Sequence, residues 1–197
     1  LVLDVATGTG RVPALLLEQD DLQGRVVGLD ISRKMLFHAA VKLYPRHRAA
    51  LIWHTASDLP FPADTFDVVT CIEAWEFFPA ASEDLRDLVR VLRPGGTLLI
   101  TNRTGADARL MPGKTLSTTA MRDWLVDGLG LVDVEYEHWQ VDYDLFWARM
   151  DYLLGVRSDW MSCADSDGRV STGATWGQND ALCNGLNLPD ESPKPAQ

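Results

Sequence analysis

Three cysteines, Cys71, Cys163 and Cys183, are all this chain has. An odd number at wide spacing supports neither a disulfide framework nor a four-ligand zinc site, and no other metal-ligand spacing stands out. That usage points to a reducing, cytoplasmic setting. No apolar run of about 18 residues occurs, so no membrane-spanning helix is expected. The 18 Lys and Arg are scattered and the formal net charge is −10. A chain that grips nucleic acid by neutralising phosphates would need clustered cations, so no nucleic-acid partner is expected. No internal repeat is present. What remains is 197 residues, 46% of them hydrophobic, enough for one domain with a substantial core.

Along the chain, short apolar runs alternate with helical patterns. Residues 1–5 read as a buried strand, followed by the small-residue turn Ala6-Thr7-Gly8-Thr9-Gly10 and a helix with Pro13 near its first turn, where a missing N–H costs little. Residues 25–30 form a second strand. Ser32 is placed to cap a helix with Met35, Leu36, Ala39, Ala40 and Leu43 on its apolar face, ended by Pro45. Residues 50–53 and 66–72 are the third and fourth strands. Ser82 is expected to cap a helix carrying the stripe Leu85, Leu88, Val89 and Leu92, with acids first and arginines last, as the helix dipole favours. Pro94-Gly95-Gly96 turns the chain into a fifth strand, 97–101. A helix over 119–129 directs Met121, Trp124 and Leu125 inward. Two strands, 131–139 and 143–150, form an antiparallel hairpin whose aromatics, Tyr136, Trp139, Tyr143, Phe146 and Trp147, divide between core and pocket.

The fold class that follows is α/β: a doubly wound, Rossmann-like, mostly parallel sheet with a C-terminal antiparallel hairpin. One domain is expected over 1–150 and an extension over 151–161. From 162 to 197 Ser, Thr, Gly, Asn and Pro dominate without periodicity, and that tail is expected to be poorly ordered. The chain opens on strand-like residues rather than Met, so its natural start is expected upstream.

The chemistry concentrates at the first turn. Small residues at the carboxyl end of the first strand let a ligand approach the backbone. Asp30, 20 residues after Gly10 and ending the second strand, is placed to accept both hydroxyls of a ribose. A dinucleotide fingerprint would need Gly or Ala where Pro13 stands, and Asp4 is awkward beside a pyrophosphate. An acid there suits a positively charged ligand such as S-adenosylmethionine, with its sulfonium and ammonium groups. No Tyr-x-x-x-Lys pair supports the rival reading, an NAD(P)-dependent oxidoreductase. A non-catalytic S-adenosylmethionine-binding domain is the third reading.

Four segments, LDVATGTGR (3–11), VVGLDIS (26–32), ASDLPFPADTFDVV (56–69) and LVRVLRPGGTLLITNR (88–103), occur in order. Together they resemble the class I S-adenosylmethionine-dependent methyltransferases, the broad group that includes the ubiquinone/menaquinone-biosynthesis type. The resemblance implies a seven-stranded sheet with its last strand inserted antiparallel. It assigns Asp4, Ala6, Gly8 and Gly10 to the methionine part and the turn beneath it. Asp30 would hold the ribose, with Ile31 and Met35 near the adenine. Thr55 stands where the family carries an acid that meets the adenine amino group, and Ala56 would offer its N–H to the ring. Ile72 and Glu73 would face the sulfonium and the substrate. It implies methyl transfer to a small organic molecule by direct displacement, leaving S-adenosylhomocysteine. Glu73, Glu76 and His138 are the candidate bases for an acceptor that must lose a proton.

Overall fold

A computed structural model of the chain describes residues 1–152, apart from Pro45, Pro112 and Gly113. The expectations for the tail and for nearly all of the 151–161 extension fall outside these residues, as does Pro45 itself.

Seven strands form one sheet: β1 (Val2–Val5), β2 (Val26–Asp30), β3 (Ala49–Trp53), β4 (Phe66–Cys71), β5 (Leu92–Arg103), β6 (Leu131–Gln140) and β7 (Tyr143–Met150). Their order is β3-β2-β1-β4-β5-β7-β6. The first five run parallel, and β7 lies antiparallel between β5 and β6. The sheet therefore reverses direction of growth at β1 and β4, and the carboxyl ends of those strands open on a crevice. Central strands are apolar on both faces because helices cover both. Leu3, Val5, Val69, Leu98 and Ile100 are wholly buried there.

The helices are α1 (Arg11–Leu17), α2 (Arg33–Leu43), α3 (Ala81–Arg90), α4 (Gly105–Ala108) and α5 (Thr118–Asp123). Pro13 is the third residue of α1, where its N–H would have no intrahelical partner. Ser32 caps α2, its hydroxyl accepting from Met35 N at 3.4 Å. The apolar face of α2 is narrower than expected: Ala39 and Leu43 are buried, whereas Met35 and Ala40 are exposed. The cap expected at Ser82 is corrected. The helix starts two residues earlier, after Ala80, and Asp84 reaches back to accept from Ala80 N at 3.2 Å. Ser82 lies inside the first turn. Leu85, Leu88 and Val89 of the stripe are buried as expected, and burying each Leu stabilises by roughly 1.5–3 kcal/mol, whereas Leu92, also buried, is the first residue of β5 and not part of the helix.

Two further expectations change. The Pro94-Gly95-Gly96 turn lies inside β5, because pairing with β4 begins at Phe66–Leu92 and resumes at Val68–Thr97. Residues 93–96 thus bulge opposite Asp67, with Gly95 at φ +78°. The helix expected over 119–129 is α5 continued by a π-helical turn, Trp124–Gly128, with Met121 and Leu125 buried and Trp124 only half-buried.

Candidate functional site

The turn after β1 is tied down by the strand beside it. Thr7 N donates to Leu29 O at 2.9 Å, and Gly10 N to Thr7 O at 2.9 Å. Three residues here take the left-handed conformation: Ala6 (φ +57°), Gly8 (φ +54°) and Gly10 (φ +70°). The glycines do different work. A side chain on Gly8 would meet open space, so Gly8 faces the crevice. One on Gly10 would press on Ala39 Cβ at 3.0 Å, so Gly10 lets α1 lie against α2. Ala6 accepts the same conformation with a Cβ, at a cost of order 1 kcal/mol.

Asp30 organises this turn. Its two carboxylate oxygens accept from Gly8 N and from Ser32 N, both at 2.8 Å. Each oxygen keeps a further lone pair, so the carboxylate that braces the loop is still able to receive hydroxyls. Beside it, Ile31 is 71% exposed and Met35 also stands at the surface. Trp53, at the end of β3, donates its indole N–H to Ile31 O at 2.8 Å, and the Arg33 guanidinium lies 3.7 Å above its ring. Sequence reasoning missed Trp53. Its signal was register, since Trp53 pairs with Asp30 across β2 and β3. Thr55 and Ala56 follow β3, with Thr55 Oγ1 accepting from Ser57 N at 3.2 Å.

Asp4 is buried between β2 and β4. Thr70 Oγ1 donates to its Oδ1 at 2.5 Å, while Oδ2 has no hydrogen-bond partner among the described residues. Burial pushes the carboxyl up to about 6, and nearby Asp30 adds to the rise. The Thr70 hydroxyl opposes it, as does that of Thr7, which is close by but outside hydrogen-bonding geometry. A buried acid with an unpartnered oxygen fits a cationic ligand group, which would supply the missing partner. With the ribose-type acid at Asp30, the apolar Ile31 beyond it and the open space over Gly8, these residues fit a nucleoside carrying a positive centre.

The three candidate bases part company. Glu73 is exposed, with φ +55°, and its N–H donates to Thr101 Oγ1 at 2.6 Å, fixing the exit of β4 against β5 beside Ile72. Glu76 is fully buried. Its Oε1 accepts from Arg103 Nε at 2.9 Å and from Tyr143 OH at 3.1 Å, and the guanidinium lies 4.6 Å from the centre of the Tyr143 ring. Burial holds the Tyr143 hydroxyl well above its usual range, so it donates to Glu76 across ordinary pH. Glu76 is thus an ion-paired anchor rather than a solvated strand exit. His138 stands on β6 with its side chain 81% exposed, and its Nδ1 lies 2.5 Å from Oδ1 of the wholly buried Asp144. Thr118 donates to the other oxygen of Asp144 at 2.5 Å. Arg103, Tyr143 and Asp144 were not read as functional. Their partners Glu76, in the turn after β4, Thr118, on α5, and His138, on β6, belong to other elements, which one-dimensional spacing does not reveal.

Of the hairpin aromatics, Tyr143 and Phe146 are core, Trp147 is half-buried, and Tyr136 and Trp139 are exposed. Cys71 is buried, and its thiol is pushed up by that burial.

Comparison with known proteins agrees with this geometry. Residues 3–100 match a family described as a methyltransferase domain. A demethylmenaquinone methyltransferase of Listeria welshimeri is 39% identical over 99 residues, covering 49% of this chain and 42% of that one. Its counterpart in Lactiplantibacillus plantarum is 34% identical over 113 residues, covering 56% and 48%. The chain therefore matches less than half the length of these curated relatives. Among solved structures, an S-adenosylmethionine-dependent methyltransferase from Aquifex aeolicus superposes with a TM-score of 0.64 at 20% identity, over 76% of this chain and 81% of that one. The [4+2]-cyclase SpnF superposes with a TM-score of 0.60 at 19% identity, over 76% and 75%. Both show the fold alone. Fold, motif order and family match converge: residues 3–100 carry the methyltransferase domain, on the fold of the class I S-adenosylmethionine-dependent methyltransferases.

Proposed function

We propose that the protein transfers the methyl group of S-adenosylmethionine to a small organic acceptor, leaving S-adenosylhomocysteine. The observation that carries this reading is the pair of acids at the two sides of the β1 turn. Asp30 is positioned by two backbone N–H groups, and Asp4 is buried with an oxygen to spare. The relatives act, by their names, on demethylmenaquinone, which supports a quinone-type acceptor here. The cysteine usage supports a cytoplasmic setting. Among the described residues no helix is long and apolar enough to cross a membrane.

The donor supplies an already activated methyl group, so the chain's work is orientation and exclusion of water. Asp4, Ala6 and Gly8 would hold the methionine end, Asp30 the ribose, and Ile31, Met35, Thr55 and Ala56 the adenine. Ile72 and Glu73 close the crevice on the acceptor side. Where the acceptor must lose a proton, Glu73, exposed at the exit of β4, is the candidate base beside the crevice. His138, on β6, lies three strand steps, ~14 Å, from β4, outside the hydrogen-bond reach a base needs. Glu76, engaged by Arg103 and Tyr143, serves as a positioning group.

The test is methyl transfer from labelled S-adenosylmethionine to reduced demethylmenaquinone and to a panel of small phenols. Labelled product is expected, and Glu73→Gln should slow it by ~100-fold or more for an acceptor that must lose a proton. S-adenosylhomocysteine binding without transfer to any acceptor would instead favour a non-catalytic domain.

A further inference from the structure

The segment between β3 and β4 has no strand or helix to hold it, yet it carries Thr55 and Ala56. Its near end is tied to β2, where His54 N donates to Asp30 O at 3.2 Å. Its far end is held by two side chains of α3. Arg90 Nη1 donates to Phe61 O at 2.7 Å and Nη2 to Leu59 O at 3.0 Å. Arg90 Nε donates to Asp87 Oδ1 at 2.5 Å, and the other oxygen of Asp87 accepts from Leu59 N. Every nitrogen of the guanidinium is used, and one carboxylate faces both the arginine and the loop. Only a planar fork serves two carbonyls and an acid together, so lysine is no substitute. Leu59 is buried beneath this clamp, and Phe61 packs edge-on to Phe66, ring centres 4.9 Å apart. Between the two anchors the Ala56 N–H has no partner among the described residues.

We propose that Asp87 and Arg90 are positioning residues for base selectivity: by fixing residues 59–61 they set where the Ala56 N–H stands against the purine of the donor. The inference rests on the methyltransferase reading of the crevice. Its chemistry is simple. Adenine N1 accepts a hydrogen bond, whereas hypoxanthine carries a hydrogen on N1. A backbone N–H held in place welcomes the first and opposes the second. A loose loop can turn aside and loses the distinction.

Calorimetry tests this with S-adenosylhomocysteine and its hypoxanthine counterpart, S-inosylhomocysteine. The wild-type chain should prefer the adenine compound by about 10-fold or more. Arg90→Lys should bring the two affinities within about 3-fold of each other. Asp87→Asn, a milder change that leaves the arginine in place, should move in the same direction. Leu17→Ala, a core change in the cluster under α1 on the other face of the sheet, should lower stability and leave the preference intact, which separates positioning from general loosening. Folded Arg90→Lys and Asp87→Asn proteins that keep the wild-type preference would overturn the inference. So would a wild type that binds S-adenosylhomocysteine without discriminating against the inosine compound. A wild type that binds neither overturns the donor reading itself.

Discussion

Asp4 sets folding against binding. Its carboxyl titrates near 3.8 when the chain is unfolded and at about 6 when buried. As pH rises from about 4 to 6 the unfolded chain ionises first, so the free protein loses stability across that window. The full cost, ~3 kcal/mol, is present above it. Asp4→Asn removes the cost. At pH 7 chemical denaturation should show the variant more stable than wild type, while S-adenosylmethionine binding weakens. A variant less stable than wild type would contradict the burial argument. Because a cationic ligand favours the ionised acid, donor binding near pH 5.5 should release protons, seen as a dependence of calorimetric heat on buffer ionisation enthalpy. Asp30 differs, since two backbone N–H groups already support its charge. Asp30→Ala should weaken S-adenosylmethionine binding by about 1–3 kcal/mol, and unchanged affinity would remove Asp30 from the site.

At the scale of elements, the buried Glu76–Arg103 pair ties the segment after β4 to the end of β5, with Tyr143 of β7 as third member. Arg103→Ala removes the charged partner of a buried carboxylate, leaving it the Tyr143 hydroxyl, and should cost about 3–5 kcal/mol. Adding Glu76→Leu should restore much of that loss, and a double-mutant cycle in urea checks it. This cluster also shows where sequence reasoning stops. The strand, glycine turn and helix at residues 2–17 were legible because period and turn chemistry are local. The antiparallel hairpin was legible from two apolar runs and a short link. Glu76 was not, because its partners lie 27 and 67 residues away. The bulge in β5 follows from pairing with β4, and the start of α3 from an acid four residues inside it. Both depend on contacts that hydrophobic periodicity does not carry. The adenine-side residues Thr55 and Ala56 were named by resemblance alone, and the clamp that holds their loop is visible only in three dimensions.

For the whole molecule, the strand order places both acids, the glycine turn and the exits of β4 and β5 at one end of the sheet. A ligand seated there joins β1, β2 and β4, so it stabilises the folded chain by mass action. At 100 times its dissociation constant S-adenosylhomocysteine should add about 2.7 kcal/mol to unfolding stability. Titrating the protein in a calorimeter with S-adenosylhomocysteine and, in parallel, with NADH tests the central claim most directly. Saturable one-to-one binding of the first, abolished by Asp30→Ala, with no heat from the second, is the predicted result. Binding of NADH with no response to S-adenosylhomocysteine would contradict it.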